Sequence, residues 1–298
     1  MGFDKENKKY FVEENNNSYK FDLDLNGVLA LTERNVERID FLIANDSKYR
    51  QSTSDDPIET FCNKYPYFWC KNEAYDRPPE DLTKELVTIV DKANSTHQSS
   101  EGPNVKKGEH DGRGKTAKYI IDNCSNLGER LESGDPELVD EIACSLLGED
   151  DKERYTFSFA SKFCTYVSRG LFPASDNYSI YDNVVRMALP YYACVYLDEE
   201  LPMRKGRCVK DPYSKFGEKE HRDESKWKYK EYAGLIKRII DENEKKTGYR
   251  ISRKDFDHLL WYYFKGENSR IEESRNRISE KERKESRDKF RNSRDYIH

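Results

Sequence analysis

The stretch at residues 155–185, YTFSFASKFCTYVSRGLFPASDNYSIYDNVV, constrains the fold of this chain more than any other. Apolar residues at helical spacing over 157–167 and again over 182–197 predict two apolar helices, separated by a loop that carries Pro173 and several Ser and Asp residues. Lys162 falls within the first helix. Asp182 falls at the N-terminus of the second, where the helix dipole favours an ionised carboxylate. Taken alone, Asp182 reads as an N-cap and Lys162 as a surface lysine on a core helix, because aspartate is among the commonest caps.

Helices of this kind need a core, and hydrophobic residues make up only 35% of the 298, against 37% charged; ordinary domains carry about 45–50% apolar residues. The 21 tyrosines and 14 phenylalanines supply the missing material, each aromatic burying roughly 150–250 Å². The excess charge belongs on solvated helix faces and in tails. A net charge of −5 gives no global basic field, so affinity for nucleic acid has to come from local patches. Two are present. Arg204, Lys205, Arg207, Lys210 and Lys215 stand against one acid, Asp211; Lys106, Lys107, Arg113, Lys115 and Lys118 are diluted by Glu109 and Asp111.

The remaining pattern predicts a mainly α chain. Residues 1–20 are polar and read as a frayed start. Residues 19–31 alternate apolar and polar about Asn26-Gly27, which predicts a small β-hairpin. Helices are predicted over 36–43, 79–93, 115–124, 136–147, 227–244 and 254–264, with 46–57 a polar connection, 58–70 an aromatic-rich segment and 94–114 a long loop. Gly134 or Asp135 precedes Pro136 in the first-turn position, and Ser252-Arg-Lys-Asp255 has the form of a capping box. The expected organisation is a hairpin and short-helix region at 1–57, a helical domain at 58–264 and a charged tail at 265–298, which has no apolar stripe to bury.

Several chemistries are disfavoured. The seven cysteines are odd in number and form no Cys-x-x-Cys pair, so they read as reduced thiols, with neither a zinc knuckle nor an iron–sulfur cluster encoded. The five histidines lack metal-ligand spacing; His258 reads as a packing residue, and no metal or other cofactor is expected. Gly112–Lys118, GRGKTAK, lacks the glycine that a phosphate loop needs five positions before Gly114, where Glu109 stands. The N-terminus has no apolar signal region, Glu6 stands where myristoylation favours Ser or Thr, and no run reaches about 18 apolar residues. A cytoplasmic location without membrane attachment is the expectation.

The segments around Lys162 and Asp182 resemble the catalytic stretch of the helix-hairpin-helix DNA glycosylase superfamily. Ser161-Lys162-Phe163 is similar to the lysine segment of its bifunctional members, and Ser179-Ile180-Tyr181-Asp182-Asn183-Val184-Val185 to the segment whose aspartate opens the next helix, twenty positions on. Phe159–Cys164 and Ile180–Asp182 more closely resemble an 8-oxoguanine-glycosylase-like prokaryotic group often found beside antiviral genes. Tyr155-Thr-Phe-Ser-Phe159 has no glycine where the family hairpin usually reads Leu-Pro-Gly-Val-Gly, and Ser179 replaces a proline.

The resemblance implies a glycosylase-like helical bundle that excises a base, more readily a modified one, from DNA, with a place in antiphage defence or repair. It implies that Asp182 stabilises oxocarbenium charge and that Lys162 forms a Schiff base. Phe159, Tyr166, Tyr178, Tyr181 and Asn183 would bind the flipped nucleotide, and Arg204, Lys205, Arg207 and Lys210 the phosphates. DNA, including single-stranded or modified phage DNA, is the expected partner. A competing reading is a helical nucleic-acid-binding or interaction module that kept the fold without the catalysis; a third is a structural partner of a defence system.

Overall fold

The structure, a computed structural model, describes residues 2–4, 9–14, 17–22, 29–45, 55–70, 75–94, 111–146, 155–199, 201, 203–204, 207–208 and 228–264. It is mainly α-helical. The chain divides into two units, each assembled from separate stretches of sequence: Asp46–Tyr181 with Lys228–Ala233, and Met1–Asn45 with Asp182–Trp227 and Gly234–His298.

The first of these units is built around one helix. In chain order it contains α2 (Asp55–Lys64), α3 (Pro79–Asn94), α4 (Gly112–Asn123), α5 (Leu127–Ser133), α6 (Pro136–Ala143) and α7 (Phe157–Leu171). Helix α7 packs against α2, α3, α5 and α6. Phe157, Phe159, Ala160, Phe163, Cys164 and Val167 recur at three- and four-residue spacing and are all buried, as the apolar stripe requires. Its approach to α2 is close: a Cβ on Gly170 would lie 3.0 Å from Cys62 Sγ.

The ends of these helices follow local chemistry. Asp111 caps α4, its Oδ1 accepting the Gly114 amide at 2.8 Å, and Lys84 pairs with the same carboxylate. GRGKTAK therefore forms the opening turns of a helix. Helix α5 ends on Gly134 at φ 74°, a left-handed C-cap. Asp135 then caps α6 through the Glu137 amide at 2.9 Å, with Pro136 in its first turn. The Arg130 guanidinium spans Asp135 at 2.6 Å and both oxygens of Glu141 at 2.6 and 2.9 Å. Helix α6 stops at Ala143, short of the predicted 147, whereas α7 runs on to Leu171. Helices α2 and α5 are additions to the predicted set.

The other unit contains a three-stranded antiparallel sheet, β1 (Gly2–Asp4), β2 (Lys9–Glu14) and β3 (Asn17–Asp22), in the order β1-β2-β3. Its register sets Tyr10 opposite Phe21 and Val12 opposite Tyr19. This corrects the frayed start: aromatic and β-branched residues alternating with polar ones favour strand pairing. The predicted turn at Asn26-Gly27 lies outside the described residues. Helix α1 (Glu33–Asn45) follows, then α8 (Asn183–Leu197), a two-residue hairpin β4 (Met203–Arg204) and β5 (Arg207–Cys208), α9 (Tyr229–Thr247, whose first turn belongs to the other unit) and α10 (Arg253–Phe264).

Helix α8 anchors this unit. The Tyr192 hydroxyl donates to the Leu29 carbonyl at 2.9 Å, and the Tyr196 hydroxyl accepts the Leu31 amide at 2.9 Å. The Tyr192 ring meets Phe256 of α10 edge-on, with centroids 5.0 Å apart. Asp198 closes α8 at φ 55°, and its amide bonds the Cys194 carbonyl. The Ser252–Asp255 signature is a working cap: Ser252 Oγ accepts the Asp255 amide at 3.0 Å and donates to Asp255 Oδ2 at 2.7 Å. Among the described residues no helix is long and apolar enough to cross a membrane.

Candidate active site

The two candidate catalytic groups belong to different units, because the division falls between Tyr181 and Asp182. Lys162 lies in the middle of α7, half-buried, between the buried Ser161 and Phe163. Asp182 is the N-cap of α8 and is half-buried; its Oδ1 accepts the amides of Val184 at 2.8 Å and Val185 at 3.1 Å. Two of the amides that a helix N-terminus leaves without intrahelical partners are thereby satisfied.

Ser161, which precedes Lys162, is tied to Tyr181, which precedes Asp182. The Tyr181 amide donates to Ser161 Oγ at 3.0 Å, and that hydroxyl faces the carbonyls of Ser158 at 3.1 Å and Tyr181 at 3.3 Å. One buried side chain thus fastens the end of the irregular run 175–181 to α7. The rest of the run is held by tyrosines. The Tyr229 hydroxyl accepts the Ser179 amide at 2.6 Å and donates to the Ser179 carbonyl at 2.9 Å. The Tyr232 hydroxyl donates to the Ile180 carbonyl at 2.5 Å. The Tyr229 amide in turn meets Asp140, whose carboxyl is pushed up, chiefly by burial, against the pull of that amide and the Tyr155 hydroxyl.

Of the five residues expected to bind a nucleotide, three are interior. Phe159 packs on Phe163 with ring centroids 5.8 Å apart. Tyr181 sits edge-on to Phe157 at 5.0 Å and to Tyr232 at 4.9 Å. The buried Tyr178 donates to the carbonyls of Arg130 at 2.7 Å and Asp135 at 3.2 Å, and burial drives its phenol well above the ordinary range. Tyr166 is half-buried and Asn183 exposed.

Arg204 and Arg207 are backbone register partners in β4–β5; Lys205 and Lys210 lie outside the described residues, as do Lys106 and Lys107. Arg113 is committed to Asp91, a carboxylate only 2% exposed, at 2.8 Å, and Lys118 to Asp122 at 2.9 Å. A shallow groove of about 460 Å³ runs along the polar face of α3, where Arg77, Lys84 and Lys92 stand among Asp81 and Glu85. Arg77 pairs with Glu85. The i, i+4 recurrence of charge on α3 was its signal in the sequence.

A protein family described as HI_0787_N, N-terminal domain, matches residues 63–171. That span includes Phe159, Lys162 and Tyr166 and ends before Tyr178, Tyr181, Asp182, Asn183 and the 204–210 cluster. An uncharacterized protein of Haemophilus influenzae is 40% identical over 76 residues, 26% of this chain and 33% of that protein. The similarity therefore covers about a third of the relative's length. No solved structure matches the chain.

Proposed function

We propose that the protein is a DNA glycosylase built on a helix-hairpin-helix-like bundle, which removes a modified base from DNA in repair or in defence against phage. The observation that carries this reading is the Ser161–Tyr181 pairing. It fixes to one another the two backbone positions that immediately precede Lys162 and Asp182.

The target nucleotide leaves the stack before reaction. Lys162, as its free amine, attacks C1′; the C1′–N bond breaks, and the base departs with the bonding electrons and takes up a proton. Opening of the C1′–O4′ bond leaves a Schiff base between Lys162 and C1′, and β-elimination then expels the 3′ phosphate. Asp182, held by two backbone amides, offers fixed negative charge to the oxocarbenium character of the sugar. Tyr166 and Asn183, which are not interior, are the groups for the flipped base, and Arg204, Lys205, Arg207 and Lys210 those for phosphates.

Abasic-site formation on a panel of modified duplexes, with borohydride trapping on abasic DNA, tests the reading. Wild type releases a base, Asp182→Asn does not, and Lys162→Ala loses the trapped adduct. Base release by Asp182→Asn at the wild-type rate, or no release from any duplex, would overturn it. The second reading, a nucleic-acid-binding module without chemistry, is favoured by Asp182 Oδ1, which already has a structural task in accepting two amides. Salt-dependent DNA binding without turnover is its mark.

A further inference from the structure

His258 and Asp40 come together in the unit built on α8, where α1 packs against α10. Asp255 and His258 are one turn apart on α10, and Glu33, Glu37 and Asp40 recur along one face of α1. A carboxylate oxygen of Asp40, a carboxylate oxygen of Asp255 and an imidazole nitrogen of His258 lie within 4.8 Å of one another. His258 Nδ1 is shielded from solvent and has no hydrogen-bond partner among the described residues. It stands 4.0 Å from Asp40 Oδ1, too far for a hydrogen bond. At that separation an ion pair leaves the nitrogen without a hydrogen bond, and Asp40, whose side chain is 56% exposed, gains little from one.

We propose that Asp40, Asp255 and His258 form a binding site for a divalent first-row transition-metal ion. Two carboxylates and one imidazole are the donor set of Mn²⁺ or Zn²⁺; Mg²⁺ favours oxygen alone, and soft ions favour thiolates. Metal–ligand bonds of about 2.0–2.2 Å bring neighbouring donors to roughly 3–3.5 Å. Rotation of the exposed Asp40 carboxylate closes that gap. Ser252 is a positioning residue, its hydroxyl fixing Asp255 Oδ2 at 2.7 Å, the outer-shell support that ligating carboxylates generally have. Three protein donors leave coordination positions for water, as in open sites. A bound ion would join α1 to α10 and stabilise the folded chain in proportion to its occupancy.

Calorimetric titration of the full chain with Mn²⁺ and with Zn²⁺, after chelator dialysis and without a histidine tag, tests the site; thermal melts in each metal accompany it. Wild type is expected to take one ion per chain and to melt higher with it. Asp40→Asn and His258→Gln should each weaken binding by more than about 100-fold, and Ser252→Ala by about 10–100-fold, the usual outer-shell effect. Ser252→Thr should restore affinity. Circular dichroism of each variant without metal separates loss of the site from loss of the fold, and the exposed Asp40→Asn decides if His258→Gln misfolds. Wild-type affinity in Asp40→Asn, or no binding of either ion at millimolar concentration, would refute the site.

Discussion

Asp182 has a structural duty and a proposed chemical one, and substitutions separate them. Alanine removes the acceptor for the Val184 and Val185 amides, so Asp182→Ala should lower stability by about 1 kcal/mol, within the range of roughly 0.5–2 for lost caps. Asparagine keeps a side-chain oxygen and most of that stability but carries no charge. If the carboxylate acts on the sugar, Asp182→Asn should lose about 10²-fold or more in base release, the scale of a lost electrostatic group, while its urea midpoint stays near wild type. Equal loss of midpoint in both variants would contradict the cap geometry. The cap was legible because Asp182 stands at the junction of a polar loop and an apolar run. Ser161 was not: nothing about a serine on an apolar helix announces which backbone, twenty residues on, it will hold. Nor does an aromatic side chain declare whether it lines a pocket or fills a core: Phe159, Tyr178 and Tyr181 were candidate walls for a ligand, with core packing the commoner role for such residues, and all three are buried.

Helices α5 and α9 each carry a glycine, and the two should respond oppositely to the same change. A Cβ on Gly128 of α5 would lie 2.4 Å from Trp69 Cζ2, so Gly128→Ala should cost about 1–3 kcal/mol in overpacking, outweighing a helix-propensity gain of at most about 1 kcal/mol. Gly234 of α9 has nothing within 4 Å of an added Cβ, and Gly234→Ala should stabilise by about 0.5–1 kcal/mol. Urea midpoints of the two variants check both signs. Long helices with a continuous apolar stripe, such as α3, α7, α8 and α10, were legible to within a few residues. Helix α5 was not, since seven residues with Leu127 and Leu131 as their only apolar members cannot establish a period. Helix α2 opens Asp55-Asp56-Pro57, which reads as a connection until tertiary packing against α7 supplies the rest. The register of the sheet was not legible either: the predicted hairpin at 19–31 overlaps Asn17–Asp22, but Lys9–Glu14 was read as part of a polar start.

At the scale of the molecule, alkaline pH should act through buried thiols. Burial pushes Cys62 and Cys124 up to about 12, with Glu59 and Glu141 adding to it, whereas an unfolded cysteine ionises near about 8.5. The folded pKa is the higher, so the unfolded chain loses these protons first. Stability is intact below about pH 8 and falls as pH rises toward 12. Urea midpoints at pH 7 and pH 10 should diverge, and by less in a Cys62→Val, Cys124→Val double variant; equal slopes in the two proteins would contradict it. The division of the chain has a different consequence, one of time. Leu29 and Leu31 are fastened by Tyr192 and Tyr196, 163 and 165 residues later. On a ribosome adding roughly 5–20 residues per second, the N-terminal segment waits about ten to thirty seconds for those hydroxyls. Most of the stretch Asp46–Tyr181 is by then synthesised and able to collapse around α7. During that wait the Leu29 carbonyl and the Leu31 amide lack their α8 partners, so slowed translation between them and α8 should burden this protein with aggregation more than a pause placed after residue 264.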